Sequence, residues 1–124
     1  MQPKKWTHTQ CFAHYGTKPT NIQWSWSAVN KKTKTAVLTC WDDGFSNAAY
    51  RMDHPADKPA FKEFVEHMHY AQRHCDGVIC VIMAKAQNAR SGNRKIIDCW
   101  PAPAVKLKIK SLDENTGRLV ASVV

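Results

Sequence analysis

Two neighbouring runs with a two-residue period constrain this chain more than any other feature. Over residues 21–29, Ile22, Trp24, Trp26 and Ala28 fall on one side and Gln23, Ser25 and Ser27 on the other. That alternation predicts a strand with one buried or ligand-facing side. The polar stretch Asn30-Lys31-Lys32-Thr33-Lys34 reads as a hairpin loop. Thr35-Ala36-Val37-Leu38-Thr39-Cys40-Trp41, rich in β-branched and aromatic residues, reads as the returning strand. Ahead of this hairpin, residues 1–20 are expected to form an N-terminal arm and loop, with a turn at Lys18-Pro19-Thr20.

Asp42-Asp43-Gly44 ends the second strand. His54-Pro55 and Lys58-Pro59 both disfavour helix before the proline, so residues 45–58 are expected to be largely loop. Pro59 suits a first helical turn, with Asp57 as cap. Phe61, Phe64, Val65, Met68, Ala71 and Cys75 then recur every three or four residues and predict one amphipathic helix over about 59–75. Gly77 is available for a left-handed cap. Residues 78–84, all apolar and mostly β-branched, read as a strand buried on both faces. A polar loop bends at Ser91-Gly92-Asn93, and Pro101 and Pro103 are expected to stop whatever short element residues 96–100 form. Val105, Leu107 and Ile109 alternate with Lys106, Lys108 and Lys110. A turn at residues 113–117 leads into a closing strand at 118–123. The order predicts an α+β domain over residues 21–124: a curved, mostly antiparallel sheet of five to six strands, or a partial barrel, packed on one main helix.

At 124 residues the chain is sized for one compact domain. Its longest apolar stretch, residues 78–84, is about a third of the roughly 20 residues needed to cross a bilayer. Residues 1–10 are polar, with no basic-then-apolar leader. Five cysteines without regular spacing argue against a secreted disulfide framework and for reduced thiols in the cytoplasm.

Little of the sequence points to catalysis. There is no C-x-x-C, H-E-x-x-H, G-x-S-x-G, Walker-type loop or G-x-G-x-x-G, and no cofactor is expected. His67 and His69 would point about 200° apart on a helix, so they cannot share an ion. His67 and His74 fall on one helix face with Tyr70 and Glu63, which reads as a solvated polar face. A metal-dependent nuclease would draw on Asp42, Asp43, His54 and Lys85, yet it wants a further carboxylate beside Lys85 that the strand lacks. A thiol nucleophile needs an adjacent base; Cys75 follows His74 but also completes the helix's apolar stripe.

Two features point to binding instead. The first is the tryptophan content, five in all, with Trp24, Trp26 and Trp41 on one hairpin. They can fill a core or wall a flat pocket, where each base stacked on an aromatic ring contributes about 1–3 kcal/mol. Asp42 or Asp43 beside them could accept a hydrogen bond from an exocyclic amine. The second is a formal charge of +8 gathered into clusters: Lys31, Lys32 and Lys34; Arg90, Arg94 and Lys95; Lys106, Lys108 and Lys110. Such clusters suit a polyanion, with phosphate contacts that bring affinity and salt dependence without sequence preference.

Through Ile22-Gln23-Trp24-Ser25-Trp26-Ser27, Thr39-Cys40-Trp41-Asp42-Asp43 and the order of strands and helix, the chain resembles PUA-like domains, including the EVE-like group. That resemblance implies a small domain that reads a modified base in DNA or RNA by taking it into an aromatic cage. The reading is therefore a non-enzymatic nucleic-acid-binding module. Trp24, Trp26 and Trp41 would stack, Asp42 or Asp43 would hydrogen-bond, and the cationic clusters would hold phosphate. The alternative is a small inhibitor of phage or mobile-element type that docks on a nucleic-acid-processing enzyme, with aromatics such as Trp6, Tyr50 and Trp100 as anchors.

Overall fold

The computed structural model describes residues 6–21, 24–54, 56–86 and 96–124. Seven strands form one open sheet: β1 (Ser27–Asn30), β2 (Thr35–Trp41), β3 (Phe45–Ser46), β4 (Ala49–Asp53), β5 (Val78–Ala86), β6 (Ile96–Asp113) and β7 (Arg118–Val123). Their order across the sheet is β1-β2-β5-β6-β7-β4-β3. Only β2 and β5 run parallel; every other neighbouring pair is antiparallel. Two helices accompany the sheet, α1 (His8–His14) and α2 (Phe61–His74). The fold is thus α+β and mostly antiparallel as expected, but the described residues hold seven strands in place of five or six and two helices in place of one, in an open sheet and not a barrel.

The side-chain period of two explains the layers. On β2 and β5, Ala36, Leu38, Cys40, Ile79 and Val81 join Phe64, Met68 and Ala71 of α2 in the main core, together with Tyr50, Leu107, Leu119 and Ala121. The alternate residues Val37 and Ile82 face the other way and meet Cys11 and Phe12 of α1, with Ala28 and Cys99. β5 is therefore covered on both faces, which is why it reads as a continuous apolar run.

Four local features depart from the sequence reading. Within residues 1–20, α1 is a helix docked on the sheet, started by a capping box: Thr7 Oγ1 accepts from Gln10 N–H at 3.1 Å, and Gln10 Oε1 accepts from Thr7 N–H at 3.0 Å. α2 begins at Phe61 behind Ala60, without a side-chain cap, so Pro59 and the exposed Asp57 lie ahead of it. Residues 45–53, expected to be loop, hold a β3–β4 hairpin whose two turn residues, Asn47 and Ala48, both have positive φ (51° and 60°). β6 continues through Pro101 and Pro103 at a place where its ladder is incomplete: β5 pairs with it up to Pro101, the register then slips between Ile82 and Cys80 so that Pro103 has no partner, and β7 joins only from Leu107 onward.

Candidate nucleic-acid interface

The tryptophans gather at one end of the β1–β2 hairpin. β1 begins at Ser27, later than the alternation predicts, because the chain before it closes a turn: Ser25 N–H donates to the Asn21 carbonyl, and Asn21 N–H to Ser25 Oγ, both at 2.9 Å. Trp24, half-buried in that turn, is not on a strand and does not share a strand face with Trp26. Trp26 does meet Trp41, with ring centroids 5.0 Å apart and planes at 43°. It also packs against the main core and touches the His8 ring edge-on at 5.9 Å. Both residues are half-buried, Trp26 resting on the main core and Trp41 on Trp26.

Asp42 and Asp43 follow Trp41 directly, in a single 3-10 turn (Asp42–Gly44), and both are exposed. The Trp41 N–H donates to the phenol oxygen of Tyr50 at 3.0 Å, which fixes where the strand ends and this turn starts. Of the residues of the nuclease reading, Lys85 follows Ala84, the partner of Trp41 in the sheet, and so lies near the exposed Asp42 and Asp43, whereas His54 is buried and stacked on Phe64 at 5.1 Å. Among the described residues no three His, Cys, Asp or Glu side chains are placed to share a metal ion.

His8 joins Trp26 to β2, its ring edge-on to the indole and one ring nitrogen 2.7 Å from Thr39 Oγ1. Burial lowers its pKa to about 4, so it is neutral at pH 7. The sign of the linkage follows. As pH falls below the ordinary imidazole value of about 6.5, the unfolded chain takes up a proton that folded His8 refuses until about pH 4. Stability should therefore fall across that window. A His8→Gln variant should show a shallower loss of Tm between about pH 7 and about pH 4 in thermal melts; an equal slope in the two proteins would refute the burial effect.

The lysines lie elsewhere. Lys31, Lys32 and Lys34 are exposed on the turn at the opposite end of the hairpin from Trp26 and Trp41. The seven residues of β2 separate the two ends by about 20 Å at ~3.3 Å per residue. Lys106, Lys108 and Lys110 alternate with the buried Leu107 and Ile109, so they project from the face opposite α2. Arg51 and Arg118 are exposed on the neighbouring strands, with Arg118 Nε 3.1 Å from Asp53. Lys108 pairs with Val78, the first residue of β5, and Lys106 with Cys80. Cys80 in turn pairs with Val37, two residues from the start of β2. The two lysine clusters thus lie toward the same end of the sheet, joined by the turn after α2. There the Cys75 thiol donates to the Lys34 carbonyl at 3.2 Å, and Gly77 packs beside the Lys108 side chain. The single site expected from the sequence, lysines rimming a tryptophan pocket, is in fact two regions. Arg90, Arg94 and Lys95 lie outside the described residues.

A groove of about 370 Å³ opens beside the lysine end, between β1 and α2. Val29 and Lys31 line it from the β1 side, and Glu66, His67, His69, Tyr70, Arg73 and His74 from α2. His67 is anchored by Ser27 Oγ at 2.8 Å, and burial lowers its pKa against the opposing pull of Glu63 and Glu66. His69 reaches Glu114 of the β6–β7 turn at 3.0 Å, and the His74 ring lies 4.8 Å from that of Tyr70. The sequence signal for this groove was the shared helix face of His67, Tyr70 and His74. What it lacked was the second wall, which α2 acquires only by packing across β1.

Comparison with protein-family models, curated proteins and solved structures finds no match. Among the described residues no helix is long and apolar enough to cross a membrane.

Proposed function

We propose that this chain is a non-enzymatic nucleic-acid-binding module that holds the phosphate backbone with the lysine end of its sheet. The observation that carries the reading is convergence. Lys31, Lys32 and Lys34 and Lys106, Lys108 and Lys110, far apart in sequence, are brought to one end by the β2–β5 and β5–β6 registers. Scattered lysines on a basic protein serve solubility, whereas several on one surface build a local positive potential that attracts a polyanion. Trp41, half-buried at the far end with Asp42 and Asp43 exposed just beyond it, is where an unstacked base would lie. A strand engaging both regions would run along the sheet from the lysines toward the tryptophans.

Fluorescence anisotropy of a labelled single-stranded oligonucleotide tests the proposal. Log K should fall linearly with log salt, with a slope near −0.7 for each phosphate neutralised, so about −4 if all six lysines engage. Intrinsic tryptophan emission should be quenched when the strand reaches Trp41, and Trp41→Phe should remove part of that quenching. Binding that is absent at low salt, or indifferent to salt, overturns the reading.

A further inference from the structure

We infer that Cys11 and Cys99 are a modification site: a thiol pair that a small-molecule disulfide, such as glutathione disulfide, oxidises to an intrachain bond fastening α1 to the sheet. The two residues are 88 positions apart, yet the fold brings their sulfurs to 3.7 Å, with the Cys11 thiol donating to Cys99 Sγ. Cys11 belongs to α1, and Cys99 to β6, where it pairs with Ala84 of β5. Both are buried in the layer between α1 and the sheet, among Phe12, Val37 and Ile82. A disulfide holds its sulfurs about 2 Å apart, so each needs to travel only about 1 Å, within reach of side-chain rotation. The other three thiols lie elsewhere. Cys40 packs in the main core, and Cys75 donates to the Lys34 carbonyl after α2. Cys80 borders the α1 layer, but it lies four residues along β5 from Ala84, about 13 Å at ~3.3 Å per residue.

In thiol–disulfide exchange the thiolate attacks, and the bond is made through a mixed disulfide. Burial raises both thiols, Cys11 to about 12, while the hydrogen bond from Cys11 opposes the rise at Cys99, so Cys99 ionises first. Its thiolate attacks one sulfur of glutathione disulfide and expels one glutathione. Cys11 then loses its proton, attacks Cys99 Sγ and expels the second glutathione. The cysteines give up two electrons and two protons, and glutathione disulfide becomes two glutathione thiols. Neither buried sulfur meets glutathione while α1 is docked, so the helix must lift first. It has only seven residues, held at its ends by the Tyr15 hydroxyl donating to the Val81 carbonyl at 2.8 Å and by the His8–Thr39 contact. A short terminal segment of this kind opens at less cost than the whole domain. Closing the bond reseats the helix and holds His8 against Trp26.

The test incubates the whole folded chain with glutathione disulfide, blocks the remaining thiols with an alkylating reagent and maps peptides by mass spectrometry. A Cys11–Cys99 cross-link should form, lighter by two hydrogens, with near-UV circular dichroism retained and Tm raised by roughly 5–15 °C. Cys75→Ser should leave the link intact, and Cys99→Ser should abolish both the link and the gain in Tm. Thr7→Ala, which unmakes the capping box of α1, should speed cross-linking about fivefold by letting the helix open more often, with the same product. No reaction of the folded chain, a mixed disulfide that never resolves, or links through other cysteines overturn the site. A Cys11–Cys99 bond that forms only with loss of the near-UV signal, or that lowers Tm, overturns it as well. An unchanged rate in Thr7→Ala overturns the lifting of α1 as the route.

Discussion

A variant with Lys31, Lys32, Lys106, Lys108 and Lys110 changed to Gln and Lys34 changed to Asn should bind a single-stranded oligonucleotide about a thousandfold more weakly at ~0.1 M salt, with its salt dependence nearly gone. The magnitude follows from counterion release, since each phosphate contact contributes about 0.7 to the slope of log K against log salt and six contacts compound. The fold should survive. All six side chains are exposed, and the hydrogen bonds of Lys34 O with Cys75, Lys32 N–H with Asn30 and Lys106 O with Val124 N–H all use the backbone, which the substitutions keep. Asn is chosen at position 34 because Lys34 has φ 53°, in the left-handed region that Asn tolerates better than most residues. Removing six of the formal +8 also lowers the long-range attraction of any polyanion, so placement needs its own control. Neutralising Lys58 and Lys62, exposed at the start of α2, should cost much less than neutralising Lys106 and Lys108. Equal losses in the two double variants would mean that net charge alone drives binding and that the lysine end is no site.

The separation of lysines from tryptophans shows what the sequence could and could not carry. The hairpin loop at Lys31–Lys34, strand β2, the apolar stripe of α2 and the two-sided burial of β5 are all local patterns, and local patterns were readable. The clusters themselves were readable for the same reason. Their joint position was not. It depends on β2 pairing in parallel with β5 and on Lys108 falling opposite Val78, and neither register is written in any one segment.

Some local structure was hidden too, for identifiable causes. The β3–β4 hairpin turns on Asn47-Ala48, where the usual signal is Asn-Gly, so an alanine at φ 60° concealed it. Pro101 and Pro103 signal a break unless it is known that one side of β6 is unpaired at that point. The Trp24 and Trp26 alternation was genuine in the sequence, yet the Asn21–Ser25 turn consumed it before β1 began. Thr7 and Gln10 did form a recognisable capping pair, overshadowed by the polarity of the first ten residues.

Gly117→Ala should be among the most damaging single substitutions in the described chain, lowering stability by about 3–5 kcal/mol. Gly117 closes the β6–β7 turn with φ 75°, its N–H bonded to the Asp113 carbonyl at 2.8 Å and its own carbonyl accepting from His54 N–H at 3.0 Å. A Cβ added there would overlap the His54 carbonyl oxygen and come within 3.0 Å of Phe61 Cε2. Relief requires the end of β4 to move from the turn, which disturbs the His54 ring stacked on Phe64 and hence the first turn of α2 against the sheet. In a domain whose total stability is about 5–15 kcal/mol, such a loss lowers Tm by roughly 10–20 °C. Gly77→Ala is the matched control. Its φ is 76°, nearly the same, but a Cβ there meets nothing closer than 3.8 Å. It should cost only the left-handed conformational penalty of about 1–2 kcal/mol. Thermal melts of the two variants therefore separate backbone preference from collision. If Gly117→Ala melts no lower than Gly77→Ala, the close approach of His54 to the turn is not a feature of the folded protein, and the docking of α2 onto this end of the sheet must rest on other contacts.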